Sequence, residues 1–161
     1  MDTPVDTKVY EPDIHQVIEK CKKRLIQQSN NKIIVPGFKS IDNLNFRGVT
    51  KNNSLHFLNC EDSSFEIESS VVNIMLEGCK NVKINFTKVV AKLEILNCRD
   101  ICLNVKESPN VIQIDFSSSI KIYCAEENDT IFYTCYSDLV EFNNNKIKTS
   151  LENTQVKHIV D

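Results

Sequence analysis

The sequence predicts an all-β fold: a right-handed parallel β-helix of about six short coils, each about 19 residues long. Three observations carry this reading. Apolar residues recur at a 19-residue step in four ladders: Phe38, Phe57, Leu76, Ile95, Ile114, Tyr133; Phe46, Phe65, Ile84, Leu103, Ile122; Leu44, Ser63, Val82, Ile101, Ile120, Leu139; and Leu55, Ile74, Leu93, Ile112, Ile131. Within each period apolar and polar residues alternate, which is the two-residue repeat of strands, and there are two such runs per period, for example 93–97 and 101–106. A cysteine recurs at one bend, as Cys60, Cys79 and Cys98, with Ser117 next in line. A constant period of this length marks a solenoid, in which each unit buries its apolar side chains only against its neighbours.

The elements follow in chain order. Residues 1–31 form an N-terminal extension. Within it "DIHQVIEKCKKRLIQQ" (13–28) predicts a helix, with Ile14, Val17, Ile18, Cys21 and Leu25 on one face. Asp13 is placed to cap its start with Gln16 three residues on, and Lys22, Lys23 and Arg24 lie toward the end that favours cations. A solenoid exposes an apolar end unless something covers it, so this helix is expected to pack on the first coil. Helices of this pattern also bind partners or lie on membrane surfaces.

Residues 32–161 form the β-helix domain. Its units repeat one sentence: "LHFLNCEDSSFEI" (55–67), "IMLEGCKNVKINF" (74–86) and "LEILNCRDICLNV" (93–105). Polar ladders, such as Glu66, Asn85, Asn104 and Glu68, Thr87, Lys106, run between the apolar ones. The bends carry Asn, Asp, Gly or Ser, which tolerate turn geometry. The cysteine belongs at an inward corner, where a small apolar-tolerant side chain stacks on its own copies. A leucine-rich repeat is excluded because the second half of each unit alternates as a strand. The last stretch, "NNKIKTSLENTQVKHIVD", leaves the register. Its segments 146–151 and 155–160 alternate as strands and predict a hairpin over 146–160. An isolated hairpin is marginal in water, so it needs a partner surface: its own last coil or another copy of the chain.

Composition narrows the function classes. The net charge of −3 argues against non-specific nucleic-acid binding, which needs a basic surface. The start "MDTPVDTKVY" lacks a basic-then-apolar signal pattern, and no apolar run approaches the roughly 20 residues of a membrane span. Seven cysteines, an odd number without compact spacing, predict reduced thiols and a cytoplasmic protein. Cys98 and Cys102 are the closest pair, with no second pair of ligand spacing beside them. Three glycines leave no phosphate loop, and His15, His56 and His158 are scattered. Glu77 and Asp115 fall on one outward ladder, interrupted by Leu58 and Leu96, so two coils, about 10 Å, separate the carboxylates. That spacing suits neither retaining glycosidase chemistry nor a metal clamp. The expectation is a non-enzymatic protein with no metal and no cofactor.

The joint register resembles one family, the C-terminal (CARP) domain of cyclase-associated proteins. The matching runs are "CEDSSFEI", "VNIMLEGCKNVKINF", "VVAKLEILNCRDICLNV" and "SPNVIQIDFSSS", without gaps from Cys60 to Ser119, and the resemblance covers about 32–161. The final "FNNNKIKTSLENTQVKHIV" is similar to the family's swapped terminal hairpin. The resemblance implies binding of monomeric actin, preferably with ADP, and promotion of its nucleotide exchange, hence regulation of filament turnover in the cytoplasm. It implies a homodimer through the C-terminal hairpin, with Ile147, Thr149, Leu151 and Val156 as candidate dimerisation residues. It also implies an actin site on an exposed strand face plus the extreme C-terminus. The candidates there are Asn73, Lys80, Lys83, Lys92 and Arg99, with Lys157, His158, Ile159, Val160 and Asp161 in the tail.

Two departures stand out. Where the family often carries a basic "KGK", this chain has Glu68, Ser69 and Ser70. The family's helical N-terminal domain, proline-rich linker and L-K-K-[TV] actin-binding motif are not found, so the chain resembles a short protozoan-type form reduced to the C-terminal domain. The same β-helix is similar to that of tubulin cofactor C, whose Q-x-R-x-x-x-C run supplies a GTPase-activating arginine. The arginine positions here hold His56, Met75 and Glu94, and the glutamine positions Ser54, Asn73 and Lys92. A GTPase activator of that type and a scaffold for a protein other than actin are the alternatives to actin binding.

Overall fold

The computed structural model describes residues 28–29, 31–126, 129–147 and 154–157, with side chains over 31–126 and 129–147. The chain is a parallel β-solenoid of about six turns. Each turn contributes one strand to each of two sheets: β2 (Lys32–Pro36) and β3 (Leu44–Phe46), β4 (Ser54–Leu58) and β5 (Glu61–Ile67), β6 (Val71–Glu77) and β7 (Lys80–Phe86), β8 (Val89–Leu96) and β9 (Arg99–Glu107), β10 (Val111–Asp115) and β11 (Ser118–Glu126), β12 (Ile131–Cys135) and β13 (Asp138–Phe142). Three short strands pair antiparallel at the ends: β1 (Gln28–Ser29) on β2, β14 (Asn145–Lys146) on β13, and β15 (Thr154–Lys157) on β12. One sheet therefore runs β1-β2-β4-β6-β8-β10-β12-β15 and the other β14-β13-β11-β9-β7-β5-β3.

The inner faces meet in one apolar core. Ile84, Leu103, Ile112, Ile120 and Ile122 are fully buried in the middle coils. The two ends are filled by aromatics instead. Phe38, Phe46, Phe57 and Phe65 cluster with ring centroids 4.8–6.1 Å apart in the first coils, and Phe132 meets Phe142 edge-on at 5.4 Å in the last. On the outer face Asn104 donates to Asn85 at 2.9 Å and Asn85 to Glu66 at 2.8 Å, so one of the predicted polar ladders is a continuous amide chain.

The 19-residue step holds from Leu55 to Glu126, apart from a bulge where Val71 pairs with Val89, and breaks at both ends. In the first coil Val35 pairs with Phe57 and Phe46 with Ile67, so that coil is longer, and Phe38 sits at the corner below Cys60 and not beneath Phe57. The additional residues lie in the turns 39–44 and 47–53. Near the other end the step becomes 20: Ile112 pairs with Phe132, Ile114 with Thr134, and Ile120 with Val140. The inserted residue falls between Glu126 and Ile131. Because side chains alternate along a strand, a one-residue slip reverses their faces. Ile131, Tyr133 and Leu139, expected inside, therefore point outward, while Phe132, Thr134 and Val140 are buried.

The predicted helix over 13–28 lies outside the described residues except for Gln28, which is strand and pairs with Ile33. The predicted C-terminal hairpin is described only in its arms. Asn145–Lys146 and Thr154–Lys157 are strands, but they cap different sheets of the chain's own last coil. Thr149 and Leu151 lie outside the described residues. Ile147 is buried, and its amide donates to the Val140 carbonyl at 2.9 Å.

Candidate protein-interaction site

The corner that joins the two sheets is built the same way in every coil. A residue with left-handed backbone is followed by an inward residue, small in every coil but the first, then an outward residue, then a second left-handed residue. The coils read Gly37-Phe38-Lys39-Ser40, Asn59-Cys60-Glu61-Asp62, Gly78-Cys79-Lys80-Asn81, Asn97-Cys98-Arg99-Asp100, Phe116-Ser117-Ser118-Ser119 and Tyr136-Ser137-Asp138-Leu139, with φ between 48° and 66° at both flanking positions. Glycine, asparagine and aspartate adopt this conformation at little cost. Phe116, Tyr136 and Leu139 do not, yet they hold it in the last two coils.

The inward residue does more than pack. The Cys98 thiol donates toward the carbonyls of Leu96 at 3.3 Å and Leu76 at 3.4 Å, and accepts from the Cys79 amide at 3.4 Å. The Ser117 hydroxyl donates to Asp115 at 2.8 Å and accepts from the Cys98 amide at 3.1 Å, and Ser137 serves Ser117 in the same way. The ladder thus threads a hydrogen-bond chain through the corner where sheet pairing is interrupted. The neighbouring Cys79 thiol and burial push Cys60 and Cys98 far above the ordinary thiol range, while Cys79, between the two, is pulled down. They are buried and carry packing and hydrogen bonding.

Outside, the same corner forms an open groove of about 460 Å³ along the solenoid axis. Lys80 and Arg99 occupy adjacent positions in register at its lower half, both exposed. Neither has a carboxylate at ion-pair distance among the described residues. Phe116 and Tyr136 form its upper half, 56% and 51% exposed, with stacked rings 5.2 Å apart and planes 9° from parallel. Leu139, 68% exposed, stands at the far side of the same corner. Exposed apolar residues clustered in this way mark interaction surfaces more often than residues scattered singly.

The other expected site residues do not converge here. Lys83 is exposed on the outer face of β7, in register with Ser64 and Cys102. Asn73 and Lys92 are neighbours on the opposite sheet, both half-buried. Asn73 donates to Ser54 at 3.3 Å, and Lys92 pairs with Glu94 at 3.5 Å. The five residues therefore occupy three faces. Lys157 ends β15, where its backbone pairs with Ile131, and Val156 pairs with Phe132; His158, Ile159, Val160 and Asp161 lie outside the described residues. Sequence reasoning missed Phe116, Tyr136 and Leu139. The signal was present in the repeat: Phe116 stands one place before Ser117, where the preceding coils have Asn59, Gly78 and Asn97.

Glu77 and Asp115 occupy the outward ladder with Leu58 and Leu96, as the sequence predicts. Glu77 is engaged by His56, Nε2 to Oε1 at 2.9 Å. Among the described residues no group of histidine, cysteine and carboxylate side chains is arranged to hold a metal, and no helix is long and apolar enough to cross a membrane.

Comparison with known proteins places this geometry among relatives. The family model described as "Adenylate cyclase associated (CAP) C terminal" matches residues 19–160. Cyclase-associated protein 1 of Arabidopsis thaliana is 29% identical over 75 residues, 47% of this chain and 16% of that protein. Adenylyl cyclase-associated protein 1 of Bos taurus is 21% identical over 117 residues, 73% of this chain and 25% of its own length. The chain thus spans a quarter or less of these curated relatives. The crystal structure of cyclase-associated protein from Cryptosporidium parvum superposes with a TM-score of 0.67 at 18% identity, covering 83% of this chain and 82% of that one, and so shares the fold.

Proposed function

The chain belongs to the adenylate cyclase associated (CAP) C-terminal family, and from that premise we propose that it binds monomeric actin, preferably with ADP, and promotes exchange of the nucleotide. The observation that carries this reading is the family match over residues 19–160, joined to the coil-by-coil correspondence that the sequence resemblance points to. The activity needs no acid, base or nucleophile. A protein that binds the nucleotide-loosened conformation of actin more tightly than the closed one shifts the population toward it, and release accelerates. It would act in the cytoplasm on filament turnover.

Lys80 and Arg99 are the best placed of the candidate residues. They are exposed, adjacent, unpaired by carboxylates among the described residues, and beside a stacked aromatic pair. Lys83 extends that charge onto β7, Asn73 and Lys92 offer a second face, and Lys157 to Asp161 form the tail contact. We assign dimerisation to the C-terminal segment, through Ile147, Thr149, Leu151 and Val156. In support, β15 is an antiparallel addition to an otherwise parallel edge, and a second copy's strand can make the same backbone bonds.

The test is release of a fluorescent nucleotide from purified ADP-actin. The expected result is faster release with the wild-type chain and a clear loss of that acceleration with Lys80→Glu and Arg99→Glu together. An unchanged release rate at saturating wild-type protein would sink the reading.

A further inference from the structure

We propose that the groove at the corner of the last coils docks an extended segment of a partner protein that carries a pair of carboxylates about three residues before an aromatic or leucine side chain. Its occupant is defined by chemistry alone and is independent of whether the chain acts on actin.

The upper half of the groove is costly to maintain. A bulky residue with left-handed backbone is strained, because its Cβ crowds the following carbonyl oxygen. Phe116 and Tyr136 both hold it at a position where Asn59 and Asn97 fit without strain. Stacking of the two rings offsets part of that strain. The stack leaves half of each side chain in water, so it does not serve the core. An observed strain combined with exposed aromatic surface points to a ligand contact.

The lower half fixes the ligand's charge and direction. Lys80 and Arg99 are exposed and have no carboxylate partner among the described residues. Glu61, in register one coil below Lys80, is engaged by Lys39 at 3.9 Å, and Asp62 and Asp100 line a different groove on the far side of the corner. Asp138 lines the aromatic end of this one, where it repels a second carboxylate and favours the orientation with the acidic end on Lys80 and Arg99. Adjacent coils are about 4.8 Å apart, so the centre of the Lys80–Arg99 pair lies about 10 Å from the centre of the aromatic pair. An extended peptide advances about 3.3 Å per residue, so three to four residues bridge that gap, and residues four apart share one face.

The probe is a fluorescein-labelled peptide, Ser-Glu-Asp-Ser-Ala-Phe-Leu-Ser, titrated with the full chain and read by anisotropy. Binding is expected to weaken by about tenfold or more when Glu and Asp of the peptide become Gln and Asn, or when the protein carries Lys80→Glu with Arg99→Glu. Phe116→Asn is expected to weaken it by about tenfold while leaving the fold intact, because asparagine already occupies that place in two other coils. Phe116→Tyr is expected to retain it. Equal affinity for the charged and neutral peptides, or full binding by folded Phe116→Asn, would overturn the assignment. Nucleotide release from actin, measured with the wild-type chain and with Phe116→Asn, reports on the actin reading separately.

Discussion

The amide of Cys79 donates to the thiol of Cys98 one coil above, at 3.4 Å, and both groups are buried. A corner cysteine is thus a hydrogen-bond link in the backbone as well as a small apolar filler. Ser117 and Ser137 perform the same task with shorter bonds. Cys98→Ser is therefore expected to change stability by less than about 1 kcal/mol, whereas Cys98→Ala strands a buried amide and costs about 1–3 kcal/mol. Urea denaturation of the two variants checks this; equal losses would return the ladder to a packing role alone.

Gly78 has φ of 66°, and a Cβ added there would run into the Asn59 side chain. Gly78→Ala is expected to lose about 1–2 kcal/mol, from left-handed backbone strain together with displacement of that amide. Thermal melting gives the number. No change in midpoint would mean that the corner relaxes freely.

Thr134 is fully buried, and its hydroxyl has no hydrogen-bond partner. It occupies the ladder that holds Phe57, Leu76, Ile95 and Ile114 below it. Thr134→Val keeps the shape and removes the unsatisfied group, and stability is expected to rise by about 1–3 kcal/mol. A lower midpoint would reveal a partner for the hydroxyl.

Thiol exposure follows the ladders. Cys102 and Cys135 point outward and are half-exposed, whereas Cys60, Cys79 and Cys98 are buried. Alkylation of the native protein, mapped by peptide mass, is expected to modify the first two and spare the corner three. The corner also predicts an alkaline limit. Cys60 and Cys98 are raised in the fold, so the stability they contribute is complete below the unfolded thiol pKa of about 8.5 and is lost as pH rises past it. Cys79, lowered, is ionised in both states above that pH and so adds no slope there; its own contribution changes only below the unfolded thiol pKa. The urea midpoint is expected to fall as pH rises above about 8.5, less steeply in Cys60→Ser with Cys98→Ser. A midpoint with no such slope would contradict the coupling of the three thiols.

Ending the chain after Leu151 removes β15 but keeps β14 and the buried Ile147. It leaves the edge of β12 without its antiparallel partner. Light scattering is expected to show a monomer with a folded solenoid, and exchange on actin is expected to drop. A truncated chain that still runs as a dimer would exclude exchange of the C-terminal strand.

The sequence by itself determined the architecture. A period of 19 in apolar residues, alternation within it and a corner cysteine allow little else, because each coil buries its side chains only on its own copies. Lys80, Lys83 and Arg99 were also legible as outward and basic. Tertiary structure decided what lies beyond nearest-neighbour stacking. One residue inserted between Glu126 and Ile131 reversed the faces of Ile131 and Tyr133, since a strand has only two faces and a single slip exchanges them. The grouping of candidate residues was decided by the corners, which place Lys80 and Arg99 beside Phe116 and Tyr136 and send Asn73 and Lys92 to the other sheet. Repeat position specifies which side of a strand a residue takes. Only the closed path of the coil specifies which distant strands share a surface.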